Sequence, residues 1–382
     1  MMDLRGKMYL MEGDQYKLYL DMAKEMPEFI NEPGLATGFG SFAYHPEFGE
    51  NGLFYTNHTE KPHTKPADFA FGDSIRSDLQ WVVTEWKTEN PMAVPFQAKS
   101  KRELFRIDMA SGIHGMQEIT FNPYAKKGDK DYGLLYIGIG DGGSEGRGHA
   151  WISHGATQAW GSVFRIDPQG NNSENGKYGI PSDNPFVGND KGWLPEIYAH
   201  GFRNPHRISW TQSGEILVSN IGQGQIESLY MLRPGADYGW PVREGTFKLK
   251  PEEDSNMVFP LPENEKSFGF SYPVAMYDHD EGNAISGGYE YTGTAIPGLE
   301  GKYLFGDITR GRLFYVNIAD LEIGKQAQIY EWTVEYEGVS IPLSKLSGSR
   351  RVDLRLGKDA NGEMYLFTKA DGKVYKMAGI KN

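Results

Sequence analysis

The sequence predicts an all-β fold of the β-propeller class, and three observations support this prediction. Short runs rich in aromatic and β-branched residues recur along the chain, and each run closes on Gly, Asp or Asn, which is the pattern of strands and turns. Glycine provides 48 of the 382 residues, about 13% against a usual 7% or so, which indicates many tight turns. Aromatic residues make up 13% of the chain, which favours packed strands over a disordered glycine-rich chain.

The strand-like segments share an imperfect pattern of Gly, an aliphatic residue and an aromatic residue. Repetition of such a pattern along a whole chain is typical of four-stranded antiparallel blades arranged around a channel. The last two segments predict hairpins with turns near Asp307 and Asp371. Helical patterns are few, and the best one runs from Gln15 to Glu25. The strand-like segments begin at Asn51, Gly133, Gly161, Gly214, Ile285, Gly301 and Gly362.

The length is compatible with six blades of roughly 64 residues each. Two stacked sandwiches are the competing all-β arrangement, and they predict a linker near the middle of the chain. No Pro/Ser-rich or charged linker is present. We therefore predict a single six-bladed β-propeller domain over residues 1–382. We expect it to be truncated at its N-terminus, because the segment from Gly6 to Gly13 has the pattern of a blade strand already under way.

Composition excludes several classes of function. The chain has 39 basic and 51 acidic residues, a net charge of −12, and no basic run, so nucleic acid is not a predicted partner. No stretch approaches about 18 consecutive apolar residues, so no membrane-spanning helix is predicted. The absence of cysteine removes disulfides, thiolate catalysis and zinc-thiolate sites.

Several blocks of the sequence carry a specific resemblance. The segment "EIYAHGFRNPHRISWTQSGEILVSNIGQGQIESLYMLRPGADYGWP" from Glu196 to Pro241, together with "GLLYIGIGDGG" and "GSVFRIDPQGNNSENGKYGIPSDNPF", resembles the soluble quinoprotein sugar dehydrogenases, the glucose/sorbosone dehydrogenase group. The blocks follow the order of that family from about residue 38 to the C-terminus. The resemblance implies a six-bladed propeller that holds pyrroloquinoline quinone (PQQ) and Ca²⁺ and oxidises the C1 hydroxyl of an aldose.

The chemistry of such a site is demanding. The quinone bears three carboxylates, so its pocket needs cations, preferably the planar fork of Arg. Calcium with oxygen ligands polarises the quinone carbonyl. A general base takes the proton of the sugar hydroxyl while hydride leaves C1, and His is the natural base near neutral pH.

The resemblance assigns these roles to particular residues. His114, in "SGIHGMQEITF", matches the catalytic base, and Asp141, closing "IGIGDGG", matches the acid that orients it. Arg203 and Asn204, in "HGFRNPHR", match the pair that faces the quinone. From the residues alone, roles without catalytic function stay open, because His114 could be a surface loop residue and Asp141 a turn residue.

Further cations and oxygen ligands follow from the same resemblance. Arg310 and Arg350 are predicted cofactor-facing cations. The main-chain carbonyls of Gly222 and Gln223, in "NIGQGQIE", match the ligands of the cofactor's calcium, and glycine permits the close backbone approach. Glu227 and the Tyr238 carbonyl match a second, structural calcium site. The acidic loop at 278–281 could line a sugar-binding rim, but we interpret it as solvated.

Three departures from the family pattern keep two other functions open. Thr37, Thr309 and Val352 stand where the family has a Gln or Glu, a Lys and an Arg. One alternative is a non-catalytic propeller that lost the cofactor and binds a glycan or a protein. The other is a carbohydrate-active propeller with lyase or hydrolase chemistry on an acidic polysaccharide. Fold alone does not decide among them.

The segment from Met1 to Tyr9 contains charges and no apolar core of a signal peptide. Members of the resembled family work in the periplasm or are secreted, where they pass electrons to an external acceptor, a cytochrome or a quinone. We therefore expect a periplasmic or secreted protein whose leader is not present in this chain.

Overall fold

A computed structural model describes residues 1–13, 15–72 and 74–380. The described chain consists of antiparallel β-sheets with three one-turn α-helices and five short 3₁₀ helices, so the predicted all-β class is confirmed. The chain divides into two compact units, 1–204 and 205–382. Each unit is described by itself below. No helix of the described residues is long and apolar enough to cross a membrane.

The first unit contains two four-stranded meanders and an N-terminal hairpin. One meander has the order β3-β4-β5-β6, the other β7-β8-β9-β10, and β1 pairs with β2. The strands are β1 (Lys7–Glu12), β2 (Gln15–Asp21), β3 (Phe39–Tyr44), β4 (Leu53–Glu60), β5 (Leu79–Lys87), β6 (Ser100–Met109), β7 (Met116–Phe121), β8 (Leu135–Ile139), β9 (Ser162–Ile166) and β10 (Ile197–His200). The short helices are α1 (Met22–Glu25), α2 (Phe48–Asn51), and the 3₁₀ turns Glu145–Arg147 and Ala150–Ser153.

Aromatic and aliphatic side chains explain why these strands form. The strands β4, β5, β8 and β9 are buried along almost their whole length, because their sheets are covered on both faces. The core between the two meanders includes Trp81, Phe105 and Phe164, all at most 1% exposed. Burying side chains of this size is the main favourable contribution to folding.

The second unit repeats the meander pattern. Two sheets have four strands each, in the orders β11-β12-β13-β17 and β18-β19-β20-β21, and one has three, β24-β25-β26; β14-β15-β16 and β22-β23 are smaller sheets. The strands are β11 (Pro205–Trp210), β12 (Ile216–Asn220), β13 (Ile226–Met231), β14 (Arg243–Glu244), β15 (Phe247–Lys250), β16 (Asp254–Phe259), β17 (Ala275–Asp278), β18 (Tyr289–Glu290), β19 (Lys302–Gly306), β20 (Leu313–Asn317), β21 (Tyr330–Trp332), β22 (Val334–Tyr336), β23 (Val339–Ile341), β24 (Leu354–Lys358), β25 (Met364–Thr368) and β26 (Lys373–Lys376). The helices are α3 (Leu343–Leu346) and the 3₁₀ turns Glu265–Phe268, Pro297–Leu299 and Ile318–Asp320.

The two predicted hairpins are present, and the predicted helix is mostly wrong. The strand β19 pairs with β20 around Asp307, and β25 pairs with β26 around Asp371. In the segment from Gln15 to Glu25, residues Gln15–Asp21 form β2, and only the last turn is helical. Pairing with β1 supplies the backbone hydrogen bonds of this segment, and its two tyrosines have a high strand propensity.

Candidate functional site

Three predicted site residues lie at one edge of the second meander of the first unit. His114 precedes β7, Asp141 follows β8, and Arg203 follows β10. The register pairs the first residue of β7 with the last of β8, the last of β8 with the first of β9, and the first of β9 with the last of β10. The antiparallel meander therefore brings the three flanking loops together at the same edge.

His114 contacts both of the other residues. Its Nδ1 lies 2.8 Å from Oδ1 of Asp141, and its Nε2 lies 3.2 Å from Nη1 of Arg203. Because a carboxylate only accepts and a guanidinium only donates, these contacts assign a neutral ring with Nδ1–H donating to Asp141 and Nε2 accepting from Arg203. The Asp141 side chain is fully buried, whereas that of His114 is 12% exposed. The imidazole is thus held on two sides and still reachable from solvent.

The backbone around this pair is unusually tight. His114 has a left-handed backbone, with φ of 52°, and its carbonyl accepts a hydrogen bond from the amide of Gly142 at 3.0 Å. A Cβ on Gly140 would lie 2.2 Å from that carbonyl oxygen. A Cβ on Gly115 would lie 1.9 Å from Nε1 of Trp81. Glycine is therefore required on both sides of the histidine loop, since any side chain would displace it.

The electrostatics of the pair keep the base neutral and the acid ionised. Burial, reinforced by the positive charge of Arg203, lowers the pKa of His114 even though Asp141 acts in the opposite direction. Burial alone would raise the pKa of Asp141, but the charge and hydrogen bond of His114 and the charge of Arg203 outweigh it and leave that pKa below its ordinary value. The amide of Gly143 adds a 2.8 Å hydrogen bond to Oδ1.

Asn204 is buried directly after Arg203. A Cβ on Gly140 would lie 3.0 Å from its Oδ1, so the amide side chain approaches the same tight loop as His114. The carbonyl of Arg203 accepts the amide of Asp141 at 2.8 Å. These contacts place the predicted pair Arg203 and Asn204 beside the predicted pair His114 and Asp141, as the resemblance implies.

In the second unit, Gly222 and Gln223 lie in the turn between β12 and β13. A Cβ on Gly222 would lie 1.8 Å from the carbonyl oxygen of Ile226, so only glycine fits this close backbone approach. The amide of Gln223 donates to Oε1 of Glu244 at 2.7 Å. Main-chain carbonyls of such a turn are suitable hard ligands for Ca²⁺, so this part of the chain fits the predicted calcium of the cofactor.

Glu227 has both of its carboxylate oxygens engaged. Oε1 accepts Nε2–H of His279 at 3.0 Å, and Oε2 accepts the amide of Ile285 at 2.8 Å. Burial raises the pKa of this fully buried carboxyl, and the hydrogen bond to Glu227 raises the pKa of His279. Among the described residues no group of three His, Cys, Asp or Glu side chains is arranged to hold a metal. The role predicted for Glu227 in a second calcium site stays a prediction.

The remaining predicted residues make contacts of other kinds. The buried hydroxyl of Tyr238 donates to the carbonyl of Met231 at 2.8 Å, and the role of the Tyr238 carbonyl stays a prediction. The exposed guanidinium of Arg310 donates to the carbonyls of Asp280 and His279 at 2.5 and 2.8 Å, so it links the turn between β19 and β20 to the acidic loop at 278–281. Arg350 is exposed. The roles predicted for Arg310 and Arg350 also stay predictions.

Two residues that the sequence did not single out take part in these arrangements. His279, which lies in the acidic loop predicted to be solvated, bonds to Glu227 across 52 positions of sequence. Glu244 accepts a hydrogen bond from Gln223, in the turn between β12 and β13, across 21 positions of sequence. A His between Asp278 and Asp280 carries a weak signal of an ion pair, but a single Glu before a glycine carries none.

Comparison with known families identifies the family of the chain. Residues 4–376 match the family described as Glucose / Sorbosone dehydrogenase. The chain belongs to this family. The predicted family resemblance is therefore confirmed over nearly the whole chain.

Relatives within the family are of more than one kind. The chain is 27% identical over 338 residues to the HIPL1 protein of Arabidopsis thaliana, a match that covers 78% of this chain and 46% of that protein. It is 24% identical over 237 residues to Quinoprotein glucose dehydrogenase B of Acinetobacter calcoaceticus, covering 57% and 42%. It is 25% identical over 389 residues to the mouse (Mus musculus) Hedgehog-interacting protein, covering 97% and 47%. The chain thus spans less than half the length of each of these relatives.

Solved structures share the fold. A glucose dehydrogenase structure has a TM-score of 0.68 at 19% identity, covering 100% of this chain and 92% of the other. The PQQ-bound aldose sugar dehydrogenase of Streptomyces coelicolor has a TM-score of 0.61 at 19% identity, covering 97% and 87%. At this identity the likeness establishes the fold of the chain and not its activity.

Proposed function

We propose that this chain is a dehydrogenase that oxidises the C1 hydroxyl of an aldose, with PQQ and Ca²⁺ as its cofactors. The observation that carries the proposal is the contact of His114 with both Asp141 and Arg203. A neutral imidazole, a buried acid behind it and a guanidinium in front of it are the parts that proton abstraction beside an anionic quinone requires. Membership of the glucose/sorbosone dehydrogenase family supports the same substrate class.

The donor set of the first unit fits the quinone. Arg203 supplies a planar guanidinium that can pair with a quinone oxygen or a carboxylate, and Asn204 supplies an amide side chain next to it. When bound, PQQ would supply the acceptor for the hydride that leaves C1. Calcium held by the carbonyls of Gly222 and Gln223 would polarise a quinone carbonyl. We propose Arg310 and Arg350 as further cations for the cofactor carboxylates.

His114 takes the proton in the proposed reaction. Its Nε2 carries the lone pair, because Nδ1–H is committed to Asp141. The lowered pKa of His114 keeps Nε2 unprotonated at neutral pH, and in the proposed reaction the substrate hydroxyl replaces the guanidinium of Arg203 at this lone pair. When the ring accepts the O1 proton, the ionised Asp141 stabilises the resulting imidazolium through the same hydrogen bond. Loss of this proton and of the C1 hydride converts the cyclic aldose into its lactone.

The proposal also covers the number of blades, the location of the protein and its electron acceptor. We propose a blade count of six, which an experimental structure tests. We also propose a periplasmic or secreted location and an external electron acceptor, a cytochrome or a quinone. Fractionation of the native host and reduction assays with each acceptor class test these two statements.

Reconstitution tests the activity. The purified chain is titrated with PQQ and Ca²⁺, and reduction of a dye acceptor is followed with a panel of aldoses. His114→Asn, which keeps a residue that tolerates a left-handed backbone, is expected to retain the quinone spectrum and to lose about 10²- to 10⁴-fold in kcat. The control is His154→Asn, an exposed histidine of the same unit. No dye reduction and no bound quinone with any sugar would contradict the proposal.

A non-catalytic binding protein is the second candidate function. The relatives named HIPL1 and Hedgehog-interacting protein support it, and so does the replacement of two family cations. Val352 is fully buried, and a Cβ on Gly311 would lie 2.7 Å from its side chain; the hydroxyl of Thr309 bonds to Asp307 at 2.8 Å. Binding of a glycan or protein by the cofactor-free chain, with no PQQ bound at saturating Ca²⁺, would favour this candidate over the dehydrogenase.

A further inference from the structure

The turn between β12 and β13 is organised by one carboxylate. Oε1 of Glu244 accepts four backbone N–H groups in succession. The distances are 2.7 Å to Gln223, 3.1 Å to Gly224, 3.0 Å to Gln225 and 3.0 Å to Ile226. Glu244 is 4% exposed. Convergence of successive amides on one anionic oxygen forms a concave nest, and charge-assisted bonds of this kind are among the strongest in proteins.

Peptide geometry then fixes where the carbonyls of the turn point. In a planar trans peptide the C=O and the N–H are directed oppositely. The amide of Gln223 belongs to the same peptide as the carbonyl of Gly222, and the amide of Gly224 to the same peptide as the carbonyl of Gln223. Since both amides point at Glu244, the carbonyl oxygens of Gly222 and Gln223 point away from it.

Two further contacts show how tightly the carboxylate and the turn fit. A Cβ on Gly222 would lie 2.7 Å from Oε1 of Glu244 and 1.8 Å from the carbonyl oxygen of Ile226. Oε2 of Glu244 is buried without a hydrogen-bond partner among the described residues. One oxygen of Glu244 therefore accepts all the hydrogen bonds from the turn. The negative charge of the carboxylate lies next to the turn, which favours the binding of a cation there.

We propose that Glu244 is a positioning residue for the calcium of the cofactor. It sets the direction of the carbonyls of Gly222 and Gln223 because it accepts hydrogen bonds from the amides of the same two peptides, those of Gln223 and Gly224. Its buried charge also raises the affinity of the turn for a cation. This inference rests on the proposed function, because that function assigns calcium to these carbonyls. It adds a residue that touches neither the cofactor nor the substrate.

A matched pair of variants separates positioning from general stability. Glu363 in the same unit is 7% exposed, its Oε1 accepts the amides of Thr294 and Ala295 at 3.0 Å each, and its Oε2 accepts the hydroxyl of Tyr291 at 2.8 Å. Glu244→Gln and Glu363→Gln therefore both neutralise a buried carboxylate that holds a loop. Of the two residues, only Glu244 contacts the turn between β12 and β13.

Calcium affinity of the full chain is measured by calorimetry without PQQ, and thermal unfolding is recorded for each variant. Terbium luminescence lifetimes in H₂O and D₂O count the waters on a bound lanthanide. We expect Glu244→Gln to weaken calcium binding by roughly tenfold or more, equivalent to about 1.4 kcal/mol, and to add water ligands to terbium. Glu363→Gln should change neither. If Glu244→Gln does not fold, the shorter Glu244→Asp, which keeps the charge but cannot reach all four amides, takes its place with the same expectation.

The outcomes distinguish this inference from the proposed function. Calcium binding by the unmodified chain with equal affinity in the Glu244 variant overturns the positioning role and leaves the proposed dehydrogenase intact. Equal weakening in the Glu244 and Glu363 variants also overturns it, since the effect would then follow stability. Failure of the unmodified chain to bind calcium with or without PQQ overturns the proposed function and the positioning role together.

Discussion

Nδ1 of His114 and Oδ1 of Asp141 are 2.8 Å apart, and Asp141 is fully buried behind the ring. The carboxylate oxygen that accepts the ring proton also accepts the amide of Gly143 at 2.8 Å. This second bond fixes the carboxylate, so the ring is fixed as well. The result is one tautomer and one ring orientation, with Nε2 directed to Arg203.

Asp141→Asn should damage catalysis through this relationship. An amide can donate to Nδ1 as well as accept from it, so the tautomer is no longer defined, and the stabilising charge behind the imidazolium is lost. We expect the reconstituted enzyme to lose at least about 10²-fold in kcat with little change in the affinity for PQQ. Steady-state dye reduction and a quinone titration measure the two quantities. Unchanged kcat would show that Asp141 has no part in the reaction.

Arg203 should control the protonation of His114 even without cofactor. Burial and the charge of Arg203 both lower the pKa of His114, so Arg203→Gln removes one of these causes and the pKa should rise toward its ordinary value. Histidine-selective NMR of the cofactor-free chain follows the titration directly. Asp141→Asn should move the same pKa in the opposite direction, because the Asp141 charge raises it.

The control for this titration is Arg147→Gln. Arg147 lies in the loop after Asp141, but its guanidinium pairs with Asp78 on the surface. Its removal should leave the His114 titration unchanged. A His114 pKa that is the same in the Arg203 variant as in the unmodified chain would mean that the 3.2 Å contact between the two side chains does not persist in solution.

Local patterns made much of the fold predictable. The hairpins around Asp307 and Asp371 combine alternating apolar residues with a turn residue, and both signals lie within one short window. The segment beginning at Gln15 was predicted as a helix, yet Gln15–Asp21 forms a strand. Pairing with β1 decides that case, and such a partner cannot be identified from the segment alone.

Some residues of the candidate site lie in short local motifs, and others are linked to the site only by contacts with residues distant in sequence. His114 and Asp141 each occupy a short Gly-rich motif, so the resemblance could assign a predicted role to both. Glu244 and His279 act through contacts with residues 21 and 52 positions away, and no periodic pattern links them to those partners. The bond between Glu227 and His279 could therefore not be predicted from the sequence around either residue.

Gly140→Ala should disable the site while leaving most of the fold. The added Cβ would lie 2.2 Å from the carbonyl oxygen of His114, so the histidine loop must move. We expect a stability cost of about 1–3 kcal/mol and a loss in kcat of at least roughly tenfold, because small displacements of a base are costly. Gly146→Ala is the control, since its Cβ meets nothing within 4 Å. Equal activity of the two variants would exclude a need for this close approach.

Arg106 should be a sensitive position for the stability of the first unit. Its fully buried guanidinium bonds to Glu60 at 3.0 Å, to Glu103 at 2.8 and 2.9 Å, and to Gln80 at 2.7 Å. Arg106→Met removes the buried guanidinium from two carboxylates and leaves Glu103 with Lys65 and Glu60 with His58; breaking a buried ion pair typically costs about 3–5 kcal/mol. Lys61→Met, which removes an exposed pair with Glu28, should cost less than about 1 kcal/mol. Denaturant unfolding measures both.

The pH dependence of unfolding gives a second test of the Arg106 cluster. Burial would raise the pKa of Glu103, but hydrogen bonds from Arg106 and Lys65 outweigh it and lower that pKa to about 2. The unfolded chain therefore binds the proton first, so the stability that Glu103 contributes is present above an ordinary pKa of 4.5 and is lost as the pH falls toward 2. The difference in unfolding free energy between the unmodified chain and Arg106→Met should shrink over this interval. A difference that stays constant from pH 6 to pH 2 would show that the charge of Glu103 is not coupled to Arg106.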